Sequence, residues 1–505
     1  MKNIRMVSIL VLLVMLSCNL PLNRSTNSSE GQMTPTLERL NTPTLPPPTP
    51  TPTPLPSVRL NQGDTALLLG DTQRARQEYQ SAALATSDTE IQAAALVGIA
   101  RSYFEERNYQ QTIDTLLALI NEHPANQSLA KGYYFLAEAY LSVGENQKAA
   151  EAYEKYLQHK PGILDDLIAE KAGEAWMAAG QYEQAIQSFQ KAIQSSETQD
   201  TARLKIRIGQ AYQQMNDLES AIRQYLDAYP STTNEYYKAQ ANFLTGQAYL
   251  ILGFPEQAYA RFQDSVNNFP RYYDTYSGLI ELVNAGQPVN QLNRGLVNYF
   301  AGQYALAAEV LLGYINNNPD HDGTPHHYRA LALRQINNVE GALEEWQTLI
   351  RDHPGDSFYS TAWQEIAYTQ WAFLENFEGA ASTLLDFVSQ NPSASEAPNA
   401  LFSAARILER SNRLTRAAET WERLLQEYPA ASISPRAQFL AGITYYRTGA
   451  DERALNAFQR QVVLSTSPND QAAALLWIGK IQQRLGNLES ARASWQQAAS
   501  LDPTG

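Results

Sequence analysis

Gly173-Glu174-Ala175-Trp176-Met177-Ala178-Ala179-Gly180-Gln181-Tyr182-Glu183-Gln184-Ala185-Ile186-Gln187-Ser188-Phe189 is the stretch whose pattern decides the fold. Gly180 accepts the left-handed backbone that ends a helix. Ala185 is small, and Phe189 stands one helical turn later on the same face. A knob beside a hole lets a second helix approach closely. Upstream, Gly173 and Trp176 give the preceding helix a matching pair of small and bulky residues. The segment reads as helix, turn, helix.

The same order returns along the chain. Gly-x-x-x-x-Ala is sharpest at Gly70 to Ala75, Gly144 to Ala149, Gly180 to Ala185, Gly253 to Ala258, Gly302 to Ala307, Gly449 to Ala454 and Gly486 to Ala491. The alanine position falls at 75, 112 (a Thr), 149, 185, 221, 258, 307, 342, 380, 417, 454 and 491, with spacings of 35 to 38 residues and one of 49. One turn after each stands a large apolar residue: Tyr79, Leu116, Tyr153, Phe189, Tyr225, Phe262, Leu311, Trp346, Leu384, Trp421, Phe458 and Trp495. In a chain that is 44% hydrophobic, a run of twelve would arise in about one random phase in ten thousand. Prolines such as Pro124, Pro161, Pro270, Pro319, Pro354, Pro392 and Pro429 break the chain between units. Periods of this size predict stacked hairpins that bury a continuous core. The longer spacing accommodates one additional helix near 272–284, ended by Gly286 and Pro288. The reading is therefore all-α, an α-solenoid of about twelve hairpins, with an array over 58–270, a break at 271–288 and a second array over 289–505.

This pattern of small, aromatic, Gly, Ala, bulky and Pro resembles the tetratricopeptide repeat, with a period near 37 instead of 34. The resemblance covers residues from about 58 to 503. It implies that the first helix of each unit lines a concave face, at Arg101, Glu105, Tyr134, Glu138, Glu170, Glu174 and Arg203, and further along at Gln210, Gln214, Gln247, Arg406, Arg410, Lys480 and Arg484. Chaperone-binding members of the family hold a carboxylate tail with Lys, Arg and Asn. Glu138, Glu170 and Glu174 occupy that region here, which argues against such a ligand.

The start of the chain is of a different kind. Lys2 and Arg5 precede an apolar run from Met6 to Leu16 that is too short to cross a bilayer as a helix and reads as a signal peptide over 1–17. Met15-Leu16-Ser17-Cys18 resembles the lipobox of bacterial lipoproteins, with Met15 where Leu is usual, and implies lipidation of Cys18. The alternative is an ordinary secretory signal and an exported soluble protein. Residues 18–57 are rich in Ser, Thr and Pro, and the alternation from Thr49 to Pro54 favours an extended, disordered linker. Both readings place the rest of the chain outside the cytoplasm.

Of the 505 residues, 38 are Lys or Arg and 52 Asp or Glu, a net charge of −14 that leaves no cationic surface for phosphate backbones. Nucleic acid is excluded as a partner. The single Cys rules out an internal disulfide or a thiolate zinc site. No phosphate loop, Gly-x-Ser-x-Gly or cofactor motif occurs. Asp320-His321-Asp322-Gly323-Thr324-Pro325-His326-His327 is dense in metal-binding side chains, but a Gly-Thr-Pro turn separates the first His from the other two, and it reads as a loop cluster with no metal. Glu219-Ser220 and Glu489-Ser490 share one repeat offset in Leu-Glu-Ser-Ala, where a helix start explains them better than catalysis.

A second resemblance is finer. Tyr276 to Leu296 with Ala-Gly-Gln-Pro-Val-Asn and Asn293-Arg294-Gly295-Leu296, then Trp477-Ile478-Gly479-Lys480, then Ala491 to Gly505, are similar to the amino-terminal superhelix of bacterial soluble lytic transglycosylases. In that family a lysozyme-like domain with Glu-Ser and Gly-Leu-Met-Gln motifs follows. Neither motif occurs here in that context, so the chain as given is expected not to be an enzyme. The final helix carries Leu488, Trp495 and Ala499 with nothing after it to cover them, which predicts either truncation before a catalytic domain or a partner at that end. Two functions follow as expectations: a scaffold that binds or positions peptidoglycan strands, or an adaptor that gathers envelope proteins, held to a membrane by its lipid anchor in either case.

Overall fold

The computed structural model describes residues 54–502 apart from 124, 125, 127, 163 and 197–199. Cys18, the signal segment, most of the linker and Pro124 lie outside the described residues. Among those described there are twenty-five α-helices, one 3₁₀ turn at Tyr229–Ser231 and no strand. The first six hairpins are α1 (Pro56–Leu68) with α2 (Thr72–Leu84), α3 (Thr89–Glu105) with α4 (Tyr109–Glu122), α5 (Leu129–Ser142) with α6 (Asn146–His159), α7 (Asp165–Ala178) with α8 (Tyr182–Ser195), α9 (Ala202–Gln214) with α10 (Leu218–Ala228), and α11 (Glu235–Ile251) with α12 (Pro255–Asn268). The unpaired helix is α13 (Tyr273–Asn284). Six more hairpins follow: α14 (Gln291–Phe300) with α15 (Tyr304–Asn317), α16 (Thr324–Gln335) with α17 (Val339–Asp352), α18 (Tyr359–Phe373) with α19 (Phe377–Gln390), α20 (Ala397–Arg410) with α21 (Leu414–Glu427), α22 (Ser434–Thr448) with α23 (Asp451–Leu464), and α24 (Pro468–Arg484) with α25 (Leu488–Leu501). Helix α1 opens at Pro56, two residues before the boundary read from the sequence; proline fits there because the first turn has no use for its missing N–H.

Each helix packs on the one before and the one after, and successive first helices also touch, as α1 does α3, α3 does α5, α9 does α11 and α14 does α16. The first helices thus form one layer and the second helices another, with the core between. All twelve small positions, Thr112 included, are fully buried. Eleven of the twelve bulky residues are buried as well, and Trp495 is half-buried with its Nε1 donating to the Leu476 carbonyl at 3.2 Å.

The small residue of each first helix explains the close packing. A Cβ at Gly209 would lie 2.4 Å from the Tyr225 ring, and one at Gly246 2.3 Å from that of Phe262. Gly63 and Gly98, both missed in the sequence pattern, clasp Tyr79 from its own unit and from the next: a Cβ on either would come within 2.6 Å of the ring. The ninth hairpin departs from the pattern. Its turn is one residue longer, the Asn376 N–H reaching back to the Gln370 carbonyl where the Arg413 N–H reaches only to Leu408. The extra residue rotates α18, so that Ala367 is buried and Tyr368 is exposed.

The left-handed turn residue is Gly in most units but Arg107, Asn216, Asn337, Glu375 and Asn412 in others. Helix α13 packs against α11 and α12 as the first helix of a new unit would, burying Leu279 and Leu282, and Gly278 faces Phe262. It lacks only the second helix.

Candidate binding face on the first helices

In most first helices the residue that follows the buried small position emerges from the layer. It is Arg101 after Ala100, Glu138 after Ala137, Glu174 after Gly173, Gln210 after Gly209, Gln247 after Gly246 and Arg406 after Ala405. Tyr134 and Glu170 stand one turn earlier on the same stripe, and Arg410 one turn later. The stripe is therefore a property of the repeat.

Its acidic residues are not free. Glu138 on α5 accepts from Lys171 on α7 at 2.7 Å and from the Tyr153 hydroxyl at 2.6 Å. Glu170 on α7 accepts from Arg203 on α9 at 2.6 Å, and Glu174 from Arg207 Nε at 2.5 Å. Arg207 also donates to Gln210 at 2.9 Å. Burial alone would raise the Glu138 carboxyl, but the hydrogen bonds from Lys171 and Tyr153 outweigh it and hold the group below the usual carboxylate range. Burial, reinforced by that same bond, pushes the Tyr153 phenol well up, so it remains a donor.

The sequence reading placed three carboxylates here among candidates of mixed sign, and the structure joins them to cations in a ladder of pairs. Lys171 and Arg207 were missed. Their signal was available, since all three pairs are separated by 33 residues, one repeat less one helical turn.

Tyr134 belongs to this ladder, hydrogen-bonded to Glu138 and with the Lys171 ammonium over its ring at 5.9 Å, and the other candidates stand apart from it. Arg101 lies 3.9 Å from Glu105 and over the Phe135 ring, beside a cleft of about 480 Å³ that is also lined by Asp64, Tyr79 and Lys131. Arg406 pairs with Glu409 at 2.7 Å, and the Arg410 guanidinium stacks over Trp371 at 5.0 Å. Trp371 lines a second cleft, of about 320 Å³, with Glu365, Tyr368, Asn399, Ser403 and Ile407. Gln247 is half-buried on α11, and Tyr134 packs edge-on against Tyr153 and Tyr156.

Two models described as tetratricopeptide repeat match the chain, one over residues 136–200, 170–236 and 372–432, the other over 94–126 and 473–505. The chain contains tetratricopeptide repeats. Among curated proteins no sequence matches it. Among solved structures it is similar to the MamA protein, with 19% identity over 35% of this chain and 91% of that one at a TM-score of 0.29. It is also similar to Naa15/Naa10 bound to HypK-THB, with 14% identity over 89% and 64% at 0.35. A third is YrrB, described as a TPR protein with an unusual peptide-binding site, with 15% identity over 37% and 92% at 0.30.

A tetratricopeptide scaffold is suited to holding protein partners, since its first helices present many side chains in a repeated frame. Glu219 and Glu489 stand exposed at the starts of α10 and α25. Thr324 and Pro325 begin α16 rather than forming a free turn, so His326 and His327 belong to its first turn and are buried. His327 stacks on Phe358 at 4.2 Å, which makes it part of the core. His353, from the next inter-unit loop, joins His321 and His326. Among the described residues no helix is long and apolar enough to cross a membrane.

Proposed function

We propose that the chain is a non-catalytic tetratricopeptide scaffold that holds an extended segment of a partner protein along its first-helix layer, presented outside the cytoplasm from a lipid on Cys18. The observation that carries the protein-binding part is the stripe itself. It runs from Arg101 to Arg410, neutralised pair by pair over α5, α7 and α9, with an aromatic cleft beside Arg101 and another beside Arg410. Such a surface offers apolar pockets at intervals and repels neither sign of charge, which suits a peptide of mixed composition. The export and anchoring part rests on Met15-Leu16-Ser17-Cys18 and on the charged and apolar segment before it.

A second reading, the scaffold of a lytic-transglycosylase-like peptidoglycan-processing protein, rests on the similarity of residues 276–296 and 477–480 to that family's superhelix. It also draws on Tyr368 and Trp371, whose rings in an open cleft suit sugar stacking as well as peptide contact.

Retention of the full chain on purified glycan strands separates the two. Retention lost on Trp371→Ala supports the strand-guiding scaffold; absence of retention, with envelope proteins crosslinked to wild type and lost on Arg101→Glu plus Trp371→Ala, supports the adaptor. A set of crosslinked proteins that the double variant leaves unchanged counts against this face as the binding surface. Cys18→Ser tests the anchor: the chain should move from the membrane fraction to the soluble one, and a chain that stays in place sinks the lipid assignment.

A further inference from the structure

Three imidazoles from separate parts of the chain meet between the seventh and ninth hairpins. His321 lies in the loop from α15 to α16, His326 in the first turn of α16, and His353 immediately after α17. The ring centroids are 5.0, 5.0 and 5.6 Å apart, and one ring nitrogen from each lies within 4.8 Å of the others. We propose that His321, His326 and His353 form a binding site for a divalent transition-metal ion of the zinc class, with a fourth position open.

The hydrogen bonds around the rings support this assignment. His321 Nδ1 is 2.7 Å from the Asp322 carbonyl oxygen, which can only accept, so Nδ1 carries the proton and Nε2 keeps its lone pair. His326 Nδ1 is 2.6 Å from Glu345 Oε2. The other oxygen of Glu345 is in contact with Arg329, whose cation favours the ionised carboxylate, and Nδ1 of His326 is therefore the donor and Nε2 the free base. A carboxylate that accepts from a histidine N–H is the outer partner that orients a metal-binding imidazole and raises its basicity.

His326 is only 6% exposed, and a buried imidazole with a fixed tautomer has little orientation left to lose on binding. Neutral imidazoles are the ligand form.

The two loops are themselves tied together. Asp356 accepts from the Gly323 N–H at 2.8 Å and from the Phe358 N–H at 2.7 Å, which joins the loop before α16 to the loop before α18. A Cβ at position 323 would lie 2.7 Å from the Asp356 carboxyl carbon, so glycine is what lets this tie close. A zinc–nitrogen distance of about 2.0–2.1 Å requires ligand nitrogens about 3.4 Å apart in a tetrahedral site. The rings need to close by about an ångström or so, within reach of side-chain rotation on two loops that are already held. Three nitrogen donors with no thiolate suit Zn²⁺, Ni²⁺ or Cu²⁺ rather than Ca²⁺ or Mg²⁺. A bound ion would clamp the ends of three successive hairpins.

The test is Zn²⁺ titration of the full chain carrying no polyhistidine tag, followed by calorimetry and by the absorption of a Co²⁺-substituted sample. One ion per chain is expected, with a rise in Tm. His321→Asn and His353→Asn change side chains that are not fully buried, and each should weaken binding by at least tenfold while leaving the Tm in a chelator unchanged. Glu345→Gln should weaken it by about tenfold through the lost outer partner, and His159→Asn, away from the cluster, should have no effect. Absence of saturable Zn²⁺ binding overturns the proposal. So does saturable binding that survives both His321→Asn and His353→Asn.

Discussion

On α5, α7 and α9 carboxylates and cations pair with both partners partly exposed, whereas on α16 and α20 Arg334 and Glu409 are drawn into the core. The Glu174 and Arg207 side chains keep 40% and 31% of their exposure; that of Arg334 keeps 9%. Arg334 donates to Glu365 at 2.5 Å and to Thr369 at 3.0 Å and lies against the rings of Trp346, Tyr368 and Phe373. Glu409 accepts from Arg406, Thr444 and the Trp421 indole. Both regions use pairs about one repeat apart to link neighbouring first helices, yet only in the second are Arg334 and Glu409 buried, where water does not readily replace a lost partner. The surface ladder sets charge balance. The buried network holds one arrangement and makes loss of any member expensive.

Each region fills its own core with a bulky residue set against a small one, and the largest expected effect tests that likeness. Tyr225→Ala in the first region and Trp421→Ala in the second should each cost about 3–5 kcal/mol, because both fill the space between a small residue and the next hairpin. Denaturant unfolding followed by circular dichroism would check it, and a cost near zero for either would break the likeness of the two cores. Next, Arg334→Ala should cost about 3 kcal/mol, against about 1 kcal/mol or less for Arg207→Ala. High salt should shrink the second difference and leave the first. Equal costs would remove the contrast.

Acid sharpens it further. Glu138 has a folded pKa below its unfolded value, so the stability it contributes is present above the ordinary carboxylate range and is lost as pH falls through its folded value. Glu138→Gln should therefore flatten the acid limb of the stability profile below about pH 4.5, and an unchanged limb would place the sensitivity elsewhere. The smallest effect concerns the turns. Arg107 holds a φ of 61°, where seven equivalent turns hold glycine, and Arg107→Gly should raise stability by about 0.5–1 kcal/mol. A loss on that change would mean that the Arg107 side chain has a role of its own.

Much of this was legible in the chain itself. The small and bulky positions lie one helical turn apart, so their shared face follows from helix geometry alone, and the period follows from counting. The additional helix near 272–284 was visible because it broke that period. Gly63 and Gly98 escaped because the sequence shows that a residue is small but not which ring it meets. The shifted α18 escaped because one extra turn residue, at Glu375, changes which face Tyr368 occupies. At the candidate face the stripe was legible, since it repeats, but Lys171 and Arg207 were not read as its partners. Their pairing crosses from one unit to the next.

The sequence by itself determined the helical hairpins, their number and most of their buried faces, because each depends on residues within a few turns of one another. Stacking alone decided which cation neutralises Glu138, which atoms surround Arg334, and that His353 meets His321 and His326. These groups are about a repeat apart along the chain and become neighbours only when one hairpin lies against the next.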